Sequence, residues 1–243
     1  MLRKVPEVTI YFWIIKVLTT GMGETTSDYF VRLFNPVIVV CVAGIMLMAV
    51  LLLQLSARKY VAWIYWLAVV MVSVFGTMAA DVLHIGLGVP YVVSTIFFVI
   101  ALTIIFILWY KSEHTLSIHS ITTTRREVFY WATVLATFAL GTAVGDMTAT
   151  TMHLGYLSSG ILFAILIIVP AIAYWKFHLD EVMAFWIAYI LTRPLGASFA
   201  DWIAVSHARG GLNLGTGPIS LTLFILIIFF VWYMVFNKKD VKK

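Results

Sequence analysis

Residues 12–28 read FWIIKVLTTGMGETTSD, and the pattern returns three times: YWLAVVMVSVFGTMAAD at 65–81, YWATVLATFALGTAVGD at 130–146 and FWIAYILTRPLGASFAD at 185–201. Aligned without a gap, the four stretches superpose an aromatic residue (Phe12, Tyr65, Tyr130, Phe185), then Trp13, Trp66, Trp131 and Trp186, then Gly23, Gly76, Gly141 and Gly196, then Asp28, Asp81, Asp146 and Asp201. The chain holds 9 Trp in 243 residues. One aspartate therefore meets a tryptophan at a fixed offset about 4% of the time by composition, and four such meetings have odds of roughly one in a million. The four stretches are copies of one unit.

Each copy opens an apolar run, and the runs set the fold class. The composition is 63% hydrophobic and 11% charged, too little polar surface for a soluble shell. A bilayer core about 30 Å thick needs roughly 20 apolar residues per helix. Eight such runs are present, near 9–31, 36–56, 61–84, 90–110, 127–150, 156–175, 182–204 and 216–236. Continuous apolar stretches such as 161–168 lack the alternation of a barrel strand, which leaves helices. The expected fold is an all-α membrane protein of eight transmembrane helices. They form four tandem helix hairpins with pseudo-symmetry in a single transmembrane domain over 1–243, with repeats at 1–59, 60–123, 124–179 and 180–243. The basic and apolar start imitates a signal peptide, but it carries the first repeat and is kept. The lone Cys41 lies within the second run, so no intrachain disulfide forms.

With eight spans, both termini and the connections after spans 2, 4 and 6 share one side. That side carries 12 Lys and Arg, against Arg32 and Arg209 on the other. The positive-inside rule then puts both termini in the cytoplasm. The expected location is the cell inner (plasma) membrane, as a multi-pass chain. The net charge of +5 follows from this asymmetry and is no argument for nucleic acid. The lipid bilayer is the expected partner, and a homo-oligomer is compatible with the sequence.

The repeated Trp, Gly and Asp sets resemble those of a family of bacterial integral membrane proteins. Its members are built from four tandem copies of a repeat of unknown function, each with two transmembrane regions and a tryptophan. The resemblance covers essentially the whole chain. It implies the architecture and supplies no activity.

Function has to come from the residue types. The glycine five residues before each aspartate suits close helix crossing. The tryptophans fit either repeat packing or an interfacial aromatic belt. Fifteen residues after each tryptophan, at 1.5 Å per residue, the aspartate lies roughly 22 Å further along, in the outer half of the bilayer. An ionised acid at the membrane centre costs at least about 2.5 kcal/mol, less near an interface, so four copies invite a functional reading or a helix-capping one. Glu24 lies one turn before Asp28, and its counterparts are Thr77, Thr142 and Ala197. Glu24, Asp28, Asp81, Asp146, Asp201, Thr77 and Thr142 therefore form the expected ion-binding set, with the four aspartates as metal ligands. Oxygen-rich acidic sites suit hard cations. The acids invite an inorganic cation or protons as partner, with a divalent cation as the one bound cofactor suggested.

Lys16 and Arg193 also fall inside spans, leaving five acids against two bases, and they are candidate charge partners. His84, His153 and His207 follow three of the aspartates and are candidate ligands or proton relays. Pro194, with Gly21 and Gly23, predicts kinks or interruptions in spans 7 and 1. The leading function is transport or export of a cation, a divalent metal above all. The alternative is a proton-coupled carrier of a small solute. An intramembrane enzyme is disfavoured because no phosphate loop, zinc-protease helix or serine-hydrolase signature is present. A sensor or structural module is disfavoured by the short loops.

Overall fold

A computed structural model describes residues 3–240. Among them the regular structure is helical throughout: α1 (Ile10–Leu33), α2 (Pro36–Ser56), α3 (Ala62–Asp81), α4 (Tyr91–Glu113), α5 (Thr124–Asp146), α6 (Gly155–Leu166), α7 (Ile168–Phe177), α8 (Glu181–Ala204) and α9 (Thr216–Phe236). Helices α6 and α7 are one span broken at Ile167, three residues before Pro170, whose ring clashes with the carbonyl four residues back. Seven helices are long and apolar enough to cross a membrane, which makes this a multi-pass membrane protein. Helix α1 is not among the seven because Lys16, Glu24, Asp28 and Arg32 interrupt its apolar run.

The repeats build two concentric layers. The inner layer is a closed ring in which α1 packs on α3, α3 on α5, α5 on α8 and α8 back on α1. The outer helices do not pack chiefly on the partner within their own repeat. Instead α2 lies on α3, α4 on α5, the α6–α7 span on α8, and α9 closes the circle on α1. Each hairpin therefore opens and clasps the next repeat, so no repeat is a free-standing unit. Burial follows the layers: within an 18-residue apolar stretch of each span, 67% is buried in the α3 and α5 spans, but only 11% in α2 and 17% in α9. The uncovered faces are the apolar rows of Val37, Ile45, Phe97, Ile165 and Phe229, which suit contact with lipid.

Between lipid-solvated helices, packing and interhelical hydrogen bonds replace the hydrophobic effect as the source of association. The repeated residues supply both in fourfold register. The aromatic ring of each repeat meets the tryptophan of the next: Phe12 with Trp66 at 5.7 Å, Tyr65 with Trp131 at 5.5 Å, Tyr130 with Trp186 at 6.2 Å and Phe185 with Trp13 at 5.7 Å. Trp66, Trp131 and Trp186 are buried, so these rings are the joints between repeats and not an aromatic belt. The glycines form a second set of joints. A Cβ at Gly23 would overlap Ser73, at Gly76 Phe138, at Gly141 Arg193, and at Gly196 Thr20. In every case the intruder stands eight residues before the aspartate of the following repeat. Two of these residues also bond across the joint: Ser73 donates to the Thr19 carbonyl at 2.8 Å and Thr20 to that of Thr192 at 3.1 Å.

The expected interruptions of spans 1 and 7 are absent, since α1 and α8 run unbroken with Pro194 inside α8. The departures from α geometry fall elsewhere. Helices α3 and α5 pass, directly after Asp81 and Asp146, into single π turns at Val82–Gly86 and Met147–Thr151.

At the opposite end the chain before α1 is knitted to its neighbours. Lys4 N–H bonds to the Ile121 carbonyl at 3.0 Å, Tyr60 N–H to that of Arg3 at 2.9 Å, and Glu7 N–H to that of Asp240 at 3.0 Å. Lys4 Nζ also donates to Glu127 at 2.6 Å, beside Gln54, which donates to the same carboxylate at 2.8 Å. The segment before α1, the α2–α3 and α4–α5 connections and Asp240 beyond α9 thus meet on one face.

Candidate functional site

Because the inner helices share a register, residues equally far from their aspartates meet as layers around the ring axis. Nearest the termini, the Tyr65 and Tyr130 hydroxyls are hydrogen-bonded at 2.5 Å. One layer on, the Lys16 ammonium lies 3.8 Å from the centre of the Phe138 ring and 4.2 Å from that of Tyr189. It has no hydrogen-bond partner among the described residues, and cation–π attraction to the two rings takes that place.

The next layer belongs to Arg193, which is fully buried. Its Nη2 donates toward Glu24 Oε2 at 2.6 Å, Thr77 Oγ1 at 2.5 Å and Thr142 Oγ1 at 2.6 Å. These acceptors are the matched residues of the other three repeats, and Ala197 stands where the fourth would be. Each threonine passes its own hydroxyl proton back along its helix, Thr77 to the Ser73 carbonyl and Thr142 to that of Phe138, and so presents a lone pair to the guanidinium. Expected as ion ligands, Thr77 and Thr142 are therefore committed to Arg193. Arg193 itself, expected as a charge partner, is the hub of the layer.

The aspartates follow, and their four copies are not equivalent. Ligand atoms of Glu24, Asp146 and Asp201 lie within 4.8 Å of one another, and so do those of Asp81, His84 and Asp146. Asp146 belongs to both groups. Asp28 belongs to neither: it accepts from Arg32 at 2.5 Å at the end of α1, so the expected ring of four ligands is a cluster of three aspartates and Glu24. His84 is brought to the cluster, with Nδ1 4.0 Å from Asp146 Oδ2. His153 is exposed in a left-handed turn with φ of 56°, and His207 is held by the Gly211 carbonyl at 2.8 Å, so neither joins the acids.

Sequence reasoning missed the hydroxyl pair of Tyr65 and Tyr130, the aromatic seat of Lys16 and the residues that fill the glycine notches. A signal existed for the last: Thr20, Ser73, Phe138 and Arg193 all stand eight residues before a repeat aspartate. Their side chains differ in every copy, so no single residue type marks the position.

A second feature lies at the other end of the inner helices. A cavity of about 630 Å³ is walled by Trp13, Val17, Pro170 and Phe185, with Glu7, His119 and Glu181 among its polar lining. His119 Nε2 lies 3.2 Å from Glu181 Oε1, and the carboxylate cluster is not part of the lining.

Residues 11–60, 64–115, 129–179 and 184–240 match, as four successive copies, the family described as Repeat of Unknown Function (DUF347). The chain belongs to this family. Each DUF347 copy runs from the aromatic–tryptophan joint through the glycine notch and aspartate to the end of the outer helix, so the matched unit is the clasping hairpin. No curated protein and no solved structure gives a significant match to the chain. What this DUF347 protein does therefore rests on the cluster itself.

Proposed function

We propose that the protein is a transporter of the inner membrane that carries a cation, a divalent metal above all, at a carboxylate cluster, without enzymatic chemistry. In this reading all eight spans cross as four hairpins with both termini in the cytoplasm. The knitting of the N-terminal segment to the α2–α3 and α4–α5 connections supports that orientation, because it collects the basic residues on one face. The observation that carries the functional reading is the gathering of Glu24, Asp81, Asp146 and Asp201 around the shared carboxylate of Asp146. Among the described residues the one Lys or Arg paired with these acids is Arg193, 2.6 Å from Glu24, and the His84 imidazole lies 4.0 Å from Asp146. Like charges held this close in a poorly solvated site call for a cation or for protons. Arg193 and Lys16 fill the axis directly beneath. Buried cations there oppose a straight open path for a metal ion, which favours a carrier that changes shape over a channel.

The test is flux into liposomes containing the purified protein, across a panel of divalent metals, with empty liposomes as control. We expect uptake above the control for at least one metal, reduced tenfold or more by Asp146→Asn and by Asp201→Asn, and little affected by Asp28→Asn. Because ligands must be deprotonated to hold a metal, uptake at a fixed proton gradient falls as the bath is acidified. Wild-type flux from all the asparagine variants would assign the aspartates to structure. The cavity walled by Trp13 and Phe185 favours one second reading, a proton-coupled carrier of a small organic solute, since its volume falls in the range of small-molecule sites. Uptake of a labelled organic solute, with no metal uptake, would decide for it.

A further inference from the structure

His84 stands three residues after Asp81, and the matched positions in the other repeats are Val31, Ala149 and Ala204. Only the second repeat can therefore supply a nitrogen here. The π turn that follows Asp81 carries the imidazole inward, where its side chain is 1% exposed and packs on the Tyr91 ring at 4.5 Å. Neither ring nitrogen has a hydrogen-bond partner among the described residues. A neutral imidazole has one donor and one acceptor, and leaving a buried polar group unpaired costs about 1–3 kcal/mol. Nearly all such groups in folded proteins are paired. The groups that face His84 are Asp81 on its own element and Asp146 on α5, both carboxylates.

We propose that Asp81, His84 and Asp146 form an entry site for a divalent ion of the first transition row, from which the ion passes to Glu24, Asp146 and Asp201 through the shared Asp146. This rests on the cation reading above and narrows its substrate. Imidazole nitrogen favours manganese, iron, cobalt and zinc over magnesium and calcium, which prefer oxygen donors. Two carboxylates balance the charge of the ion, and the imidazole completes three ligands, leaving positions for water. Ligands to one such ion stand about 2.0–2.2 Å from it, so two of them are at most roughly 4.4 Å apart. The three ligand atoms lie within 4.8 Å of one another, with His84 Nδ1 4.0 Å from Asp146 Oδ2, and draw closer on binding. The second group is one helical turn deeper at Glu24, and there the Arg193 guanidinium opposes the incoming charge. Tight capture outside and weaker residence inside is the order that lets an ion enter and then leave.

The experiment uses the full chain in detergent. Manganese binding is followed by electron paramagnetic resonance with nitrogen hyperfine detection, and manganese, zinc and magnesium affinities by calorimetry. Wild type should bind manganese with one coordinated imidazole nitrogen. His84→Gln should abolish that coupling and weaken manganese and zinc tenfold or more while leaving magnesium within a factor of about three. Asp201→Asn should keep the nitrogen signal. If His84→Gln does not fold, the signal in wild type and its survival in a variant with His153→Gln and His207→Gln make the assignment. Manganese binding without nitrogen coupling, or coupling unchanged in a folded His84→Gln, would overturn this site and leave the cation reading standing. Absence of metal binding in wild type would overturn both.

Discussion

Arg193 shows how one side chain can use three repeats at once. It replaces the hydroxyl or ring that fills the same notch in the other copies, and its Nη2 reaches the acceptors those copies place one turn further on. Glu24 alone of the three is charged. Removing one partner of a buried ion pair strands the other, at a cost of about 3–5 kcal/mol, whereas losing a neutral acceptor to a charged donor costs about 1.5–3 kcal/mol. Thermal unfolding in detergent, followed by tryptophan fluorescence, should therefore rank Glu24→Gln as more damaging than Thr77→Val or Thr142→Val. Equal losses in all three would mean that Glu24 adds no charge to the layer. The residues of this layer were legible in the sequence as matched positions, yet their use was not. Thr77 and Thr142 read as metal ligands because a one-dimensional alignment cannot tell that the Arg193 guanidinium occupies both hydroxyls.

At the scale of the element, the glycine notch and the aromatic joint do the same work at two heights of the inner ring. The notch is the more sensitive because it is filled by rigid atoms: at Gly76 an added methyl would stand 2.8 Å from Phe138 Cβ, and at Gly196 2.8 Å from the Val17 carbonyl. Gly145 is the internal control, since a methyl there meets Pro194 at an ordinary 3.7 Å. We expect Gly76→Ala and Gly196→Ala to lose about 1–3 kcal/mol through overpacking. Gly145→Ala should be neutral or gain up to about 1 kcal/mol from helix propensity. The measurement is the thermal midpoint of each variant by size-exclusion recovery, and a destabilised Gly145→Ala would mean that glycine serves something other than space. The sequence made the glycines visible as crossing points because their spacing repeats. It misplaced the helix irregularities for an equally physical reason. Pro194 removes one N–H from the α8 ladder without breaking the helix, whereas the π turns after Asp81 and Asp146 carry no proline or glycine at their start to announce them.

For the molecule as a whole, the closed circle explains why eight helices were readable and their partners were not. Apolar length is a property of each span by itself, so seven spans stand out by composition alone. Partner choice depends on the register between copies, and the loops within a repeat suggested pairs that instead clasp their neighbours. The same circle accounts for α1. Its Lys16 and Glu24 are buried, the one against aromatic rings and the other against Arg193, while Asp28 and Arg32 pair with each other at the helix end. Lipid meets little of this charge, and 24 residues at 1.5 Å span about 36 Å, enough for the hydrocarbon core. Helix α1 should therefore cross the membrane despite its composition. A Cys41→Ala background with a single cysteine at Ser120 or Ala208, and an epitope before Met1, reads this out. In intact cells a membrane-impermeant maleimide should label Ala208→Cys, while Ser120→Cys and the epitope become accessible only after permeabilisation. Ser120 and Ala208 on one side would refute the alternation of the later spans. An epitope that reports with Ala208 would instead place α1 outside the bilayer, and with it the Glu24 layer that Arg193 depends on.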